Sequence, residues 1–210
     1  MFQPSSELSG DPGGEQRNIG ILLFDGVEEL DAVGPWEVLA SWTQQHPQDG
    51  WNISCLSPGG KDVIGAKGLR LGAHHSLEDV PALSVLIYPG GLGTRRLLRD
   101  PAHLDWVRAQ RAAVPLLASV CTGSLVYAAA GILTCRRATT HWASLNMLSE
   151  LDPTIITDVD ARYLDDGDLI TSAGVSAGID MALHLVARLA GTERAQTVRR
   201  HIQYDPRPPV

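Results

Sequence analysis

Cys121 stands in the string Ser119-Val-Cys-Thr-Gly123, between an apolar run ending at Val120 and a stretch that reads as a helix. Small residues two places before and after a nucleophile are the steric pattern of a sharp strand-to-helix turn, a nucleophile elbow. A thiol there faces the positive end of a helix, which favours thiolate over thiol. The amide of Thr122 would point at negative charge developing beside the sulfur. A buried structural cysteine is the competing reading, because free cysteines are among the most buried residues. Cys55, in the middle of an alternating run, and Cys135, after a helix stop, read as packing residues.

Around this thiol three other features could serve chemistry. Asp31 lies between Leu30 and Ala32 in an otherwise apolar stretch, whereas Glu28 and Glu29 read as solvated charges at a helix start. A desolvated carboxyl has a raised pKa and can hold a proton to give. Pro89-Gly-Gly-Leu-Gly93 follows an apolar run, and amides of Gly90 and Gly91 could complete an oxyanion hole. It fails the dinucleotide fingerprint, because no glycine stands three residues beyond Gly93, and no Gly-Lys-Ser/Thr follows to bind phosphate. His141, in Ala138-Thr-Thr-His-Trp142, is the histidine expected to border the site. His74 and His75 read as a loop pair, His184 as a core residue, and His103 and His201 as surface residues. Neither His184 nor His201 is followed at the second position by glutamate, so a Cys-His-Glu glutaminase triad is not supplied. Cys55 and Cys135 lack metal-ligand spacing, and metal binding is only the secondary reading of the His74-His75 pair.

These residues need elements to carry them. Asn18–Phe24, Trp51–Ser57, Ser84–Tyr88 and Pro115–Val120 read as strands, three of them compact enough to be buried on both faces. Helices are expected over Glu28–Trp42, with a kink at Gly34-Pro35, over Asp100–Ala112, and over Thr122–Ala130 with its stop at Gly131. Lys61–Ala73 predicts a short hairpin or an irregular excursion. A strand near Ile155, a hairpin at Asp166-Gly167 and two helices, Val175–Ala190 and Thr192 to about Tyr204, complete the chain. In the first of these helices Val175, Ile179, Leu183, Val186 and Leu189 are expected along the apolar face. Strands alternating with helices imply a mostly parallel sheet covered on both faces.

The 210 residues fit one domain over 19–210, and positions 1–18, rich in Ser, Pro, Gly and Glu, read as a flexible leader. A formal charge of −7 disfavours nucleic acid and anionic membrane surfaces as partners. No run of about 18 apolar residues could span a bilayer. Three unevenly spaced cysteines do not make a disulfide scaffold, and a cytoplasmic setting is expected.

The strings Phe24–Val38, Tyr88-Pro-Gly-Gly91, Ser119–Ser124, Thr139-Thr-His-Trp142 and Thr171–Asp180 together resemble the ThiJ/PfpI superfamily, related to the class I glutamine amidotransferases, over nearly the whole chain after Asn18. The resemblance implies a flavodoxin-like three-layer α/β sandwich, a homodimer, and no metal or organic cofactor. The peptidase branch would carry His directly after the nucleophile, where Thr122 stands. Thr122 and the acid of Leu30-Asp-Ala-Val-Gly-Pro35 are most similar to the isonitrile hydratase branch. That implies a small-molecule substrate, Cys121 as nucleophile, Asp31 as acid, and Thr122 holding Asp31, water or the intermediate. Glyoxalase-type chemistry at the same cysteine, or a redox sensor oxidised at Cys121, are the alternatives. AraC-type regulators carry a similar domain with a helix-turn-helix module, which a chain ending at Pro208-Pro-Val210 is expected to lack.

Overall fold

A computed structural model describes residues 16–206, so the expected leader lies outside the described residues up to position 15, as do positions 207–210. Strand β1 (Arg17–Leu22) takes in positions 17 and 18, the last two residues of the expected leader. Arg17 is drawn into the sheet by its side chain, which donates to the Asp49 carbonyl at 2.7 Å and lies over the Trp51 ring.

β1 is followed by α1 (Glu29–Gln45), β2 (Trp51–Ser57), β3 (Val63–Ile64), β4 (Arg70–Leu71), β5 (His75–Ser76) and β6 (Val85–Tyr88). Next come α2 (Thr94–Leu97), α3 (Pro101–Ala113), β7 (Leu116–Val120), α4 (Gly123–Ala129), β8 (Arg137–Ala138) and α5 (Leu145–Leu151). The chain then forms β9 (Ile156–Thr157), β10 (Tyr163–Asp165), β11 (Leu169–Ser172), α6 (Ala177–Ala190) and α7 (Thr192–His201). The main sheet has the order β10-β11-β7-β6-β1-β2-β5 and is parallel throughout except for the β10–β11 hairpin. Its central part, β2-β1-β6-β7-β11, is the flavodoxin-like strand order. β3 and β4 form the short hairpin expected between Lys61 and Ala73.

Right-handed crossovers lead outward from β1 in opposite directions, so they place helices on opposite faces. α1, α6 and α7 pack with one another, and α4 packs with α2, α3 and α5. Between these layers β1, β6 and β7 are buried on both sides, as their unbroken apolar runs require. Asp100 caps α3 as expected, accepting from the amides of Ala102 and His103.

Two helix expectations need correction. α1 runs unbroken through Pro35, because α6 packs against it there: a Cβ at Gly178 would lie 3.3 Å from Pro35 Cγ. α6 starts at Ala177, not Val175, which takes a left-handed φ of 55°. Its buried face is Ala177, Gly178, Met181, Ala182, Leu185 and Val186, while Ile179, Leu183 and Leu189 are half-buried at its edges.

Candidate active site

The carboxyl ends of β1, β6 and β7 converge at the point where the strand order reverses, the usual place for a site in an open parallel sheet. Asp31 enters from the first turn of α1, Gly90 and Gly91 from the loop after β6, and Cys121 from the turn after β7. Cys121 has φ 56°, a left-handed conformation that an L-residue adopts at a cost. Four contacts hold it there. Its N–H donates to the carbonyls of Ser172 and Ala173, at 3.1 and 3.2 Å. Its carbonyl accepts from Ser124 Oγ at 3.1 Å and Thr140 Oγ1 at 2.8 Å. Gly123 is required because any Cβ would fall 2.2 Å from the Tyr88 carbonyl oxygen.

Asp31 is wholly buried and Cys121 is 5% exposed. Asp31 Oδ2 accepts from the Gly90 amide at 3.0 Å, and Oδ1 has no regular hydrogen-bond partner among the described residues. The Cys121 thiol interacts with this carboxyl as a donor, the weak and rotatable contact that sulfur makes. Burial pushes the Asp31 carboxyl up to about 7, against the opposing pull of the Cys121 thiol and the Gly90 amide. Burial also pushes the Cys121 thiol up to about 12, and the nearby Asp31 charge adds to this. The amides of Thr122 and Val175 act the other way, favouring charge on the sulfur. The thiolate expected from the helix terminus is therefore not the resting state. α4 has only seven residues, and desolvation outweighs its amides.

The glycine loop serves the site differently from the expected oxyanion hole. Gly90 N–H is committed to Asp31, and Gly91 N–H donates to Thr122 Oγ1 at 2.9 Å. Thr94 Oγ1 adds a bond to the same hydroxyl at 3.2 Å. Thr122 thus ties the loop after β6 to the elbow, and its hydroxyl is not directed to Asp31. Gly90 must lack a side chain: a Cβ there would lie 2.5 Å from Thr122 N and 2.8 Å from Asp31 Oδ2.

A cavity of about 270 Å³ opens over Cys121, with Thr122, Gly91, His141, Val175 and Arg95 in its wall. His141 is half-buried at this border, its Nδ1 accepting from the Ala143 amide at 3.2 Å. Val175 and Arg95 were not legible as site residues. The first contributes its backbone, and the second lies on α2, a single helical turn whose placement over the sulfur no local pattern gives.

Other expected roles shift. Cys55 is buried, but Cys135 is exposed at a left-handed φ of 59° just after the α4 stop. His184 is only half-buried and meets Asp165 Oδ2 at 2.7 Å, because it lies at the margin of α6 rather than on its inner face. His103 is half-buried rather than at the surface, its Nε2 2.6 Å from Tyr88 Oη. His74 Nδ1 accepts from the Cys55 amide, and His75 belongs to edge strand β5. Among the described residues no group of three His, Cys, Asp or Glu side chains could hold a metal ion, and no helix is long and apolar enough to cross a membrane.

The parallel α/β sheet and the cysteine elbow define a class, and the chain belongs to the DJ-1/PfpI family, matched over residues 17–188. Within that family it is 42% identical over 191 residues to an isonitrile hydratase of Pseudomonas putida, covering 91% of this chain and 80% of that protein. It is also 28% identical over 189 residues to the HTH-type transcriptional regulator GbdR of Pseudomonas aeruginosa, covering 90% of this chain but 51% of the regulator. Among solved structures, a ThiJ/PfpI family protein from Pseudomonas syringae superposes with a TM-score of 0.84 at 30% identity, over 100% of this chain and 84% of that one.

Proposed function

We propose that the chain hydrates a small organic isonitrile to an N-substituted formamide through a thioimidate on Cys121. The observation that carries this reading is the buried Asp31–Cys121 pair, a carboxyl near 7 beside a neutral thiol. The similarity to the isonitrile hydratase supports it.

An isonitrile carbon must gain both a nucleophile and a proton. The resting pair supplies both: Asp31 takes the thiol proton as the sulfur attacks, then passes it to the carbon, which leaves R–N=CH–S–Cys121. The Thr122 and Val175 amides lower the cost of the transient charge on sulfur. Water then adds to the thioimidate carbon, with Asp31 moving a proton from the water to nitrogen. Breaking the carbon–sulfur bond releases the formamide, and the sulfur recovers its proton from the new hydroxyl. A sensor cysteine would favour thiolate, the form that peroxide attacks. A thiol pushed up to about 12 speaks against that alternative.

Formamide release from an alkyl isonitrile tests the proposal. Wild-type protein should produce it, whereas Cys121→Ala and Asp31→Asn should lose at least about 100-fold in rate, the scale of a missing nucleophile or proton donor. Folded wild-type protein that yields no formamide from any alkyl isonitrile would sink it.

We also propose a homodimer. Leu30 and Val33 on α1 are 38% and 37% exposed, and they border an apolar hollow with Ile179 and Ile202. Large apolar side chains grouped in this way commonly mark a protein interface.

A further inference from the structure

The cavity over Cys121 contains a cation that the hydration chemistry does not use. Arg95, in α2, is half-buried in its wall. Its Nη1 donates to Thr94 Oγ1 at 3.1 Å and its Nη2 to Ser144 Oγ at 3.3 Å, both neutral hydroxyls. Among the described residues no carboxylate oxygen lies within 4.0 Å of the guanidinium. Among the described residues eight other arginines are paired with a carboxylate, as on Asp168, Asp180 and Asp49. The one acid in the cavity wall, Glu28, is already bound to the Lys67 ammonium on the β3–β4 hairpin side. Arg95 therefore keeps a full charge and spare N–H donors, held in place by two hydroxyls that do not neutralise it. The planar fork of a guanidinium fits a carboxylate at two points, better than it fits any neutral group. Leu92, Ala143 and Val175 provide apolar wall beside it.

We propose that Arg95 receives a carboxylate carried by the substrate, so that the site takes isonitriles with an anionic end in preference to neutral ones. The isonitrile part rests on the hydratase reading above; the anion-receiving role of Arg95 does not. Arg95 would hold the far end of the molecule while the carbon is presented to Cys121, which is positioning through binding rather than chemistry.

Iodoacetate and iodoacetamide separate these points. In both, the Cys121 sulfur displaces iodide and forms one S–C bond, losing its proton to solvent; only the first carries a carboxylate. Peptide mass spectrometry reads Cys121 apart from the exposed Cys135. Relative to a free thiol such as glutathione, the iodoacetate-to-iodoacetamide rate ratio at Cys121 should fall about 10- to 100-fold in Arg95→Gln, the size of one charge-assisted pair. Arg95→Lys should recover part of it. In steady-state assays isocyanoacetate should be preferred over a neutral alkyl isonitrile of similar size, and Arg95→Gln should lose that preference through KM. If both alkylators, or both isonitriles, slow equally in Arg95→Gln, the arginine is only a strut between α2 and Ser144, and the proposal is overturned. If neither isonitrile gives formamide, the hydratase reading fails while the alkylation ratio still decides the anion site.

Discussion

Asp31 and Cys121 share one desolvated pocket, and neither can ionise cheaply while the other is charged. The carboxyl yields first, so near neutrality the pair passes from two protons to one, and the one-proton form is the one the proposed reaction requires. kcat/KM should therefore rise with pH through about 7 and then level off, which a pH–rate profile on an alkyl isonitrile would show. The same carboxyl affects stability. Its pKa is raised from 3.8 to about 7, so the folded chain holds the proton more tightly than the unfolded one. The folded state then loses stability as pH rises from about 4 to about 7. Asp31→Asn removes this ionisation, so relative to wild type it should be more stable at pH 8 than at pH 4 by up to about 4 kcal/mol. Urea unfolding at both pH values measures the difference; equal values would mean that the carboxyl is not held in a desolvated state.

At the scale of elements, threonine hydroxyls fasten together the loops that meet at the site. Thr122 links the elbow to the Gly90–Gly91 loop, and Thr140 holds the Cys121 carbonyl from beyond β8. The second bond gives Thr140, directly before His141, a structural role at the elbow. Gly90 is a tight point that bears directly on the acid, since a Cβ there would meet the Thr122 amide and the Asp31 carboxyl at once. Gly90→Ala should cost about 1–3 kcal/mol, as overpacking does, and displace Asp31 from the thiol. Thermal unfolding should show the loss, and turnover should fall further than stability alone explains. Full activity in Gly90→Ala would contradict the close packing. α1 adds a second device, because Pro35 has no N–H to donate to the Asp31 carbonyl four residues earlier. The helix continues anyway, since its packing on α6 supplies more than one missing bond.

For the whole molecule, the sheet order gathers β1, β6 and β7 so that residues about 60 and 30 positions apart meet, as Asp31–Gly90 and Gly91–Thr122 do. The proposed dimer places a second copy on the α1 face. Light scattering should give twice the 22.5 kDa of one chain, and Val33→Asp should shift it toward the single-chain mass. A monomer at micromolar concentration would rule the dimer out.

Strands β1, β2, β6 and β7, the start of α3 and the elbow were legible in the sequence because each is encoded locally: an apolar run of strand length, Asp-Pro at a helix start, small residues around a cysteine; edge strand β5, only two residues long, was not. Asp31 stood out for the same reason, as an acid among apolar neighbours. Of the expected α6 face only Val186 is fully buried, because the buried face also takes in Ala177, Gly178 and Ala182, small residues that carry little apolar signal; His103 and His184 were misplaced because their partners, Tyr88 and Asp165, come from strands. The sequence by itself singled out Cys121 and Asp31 as candidates and the strand-end address they share. Only the tertiary structure decided that the thiol rests protonated, that the glycine amides hold Asp31 and Thr122 rather than an oxyanion, and that Val175 and Arg95 face the sulfur's cavity. Desolvation and partner choice depend on which distant segments close over a group, and no local pattern of residues carries that information.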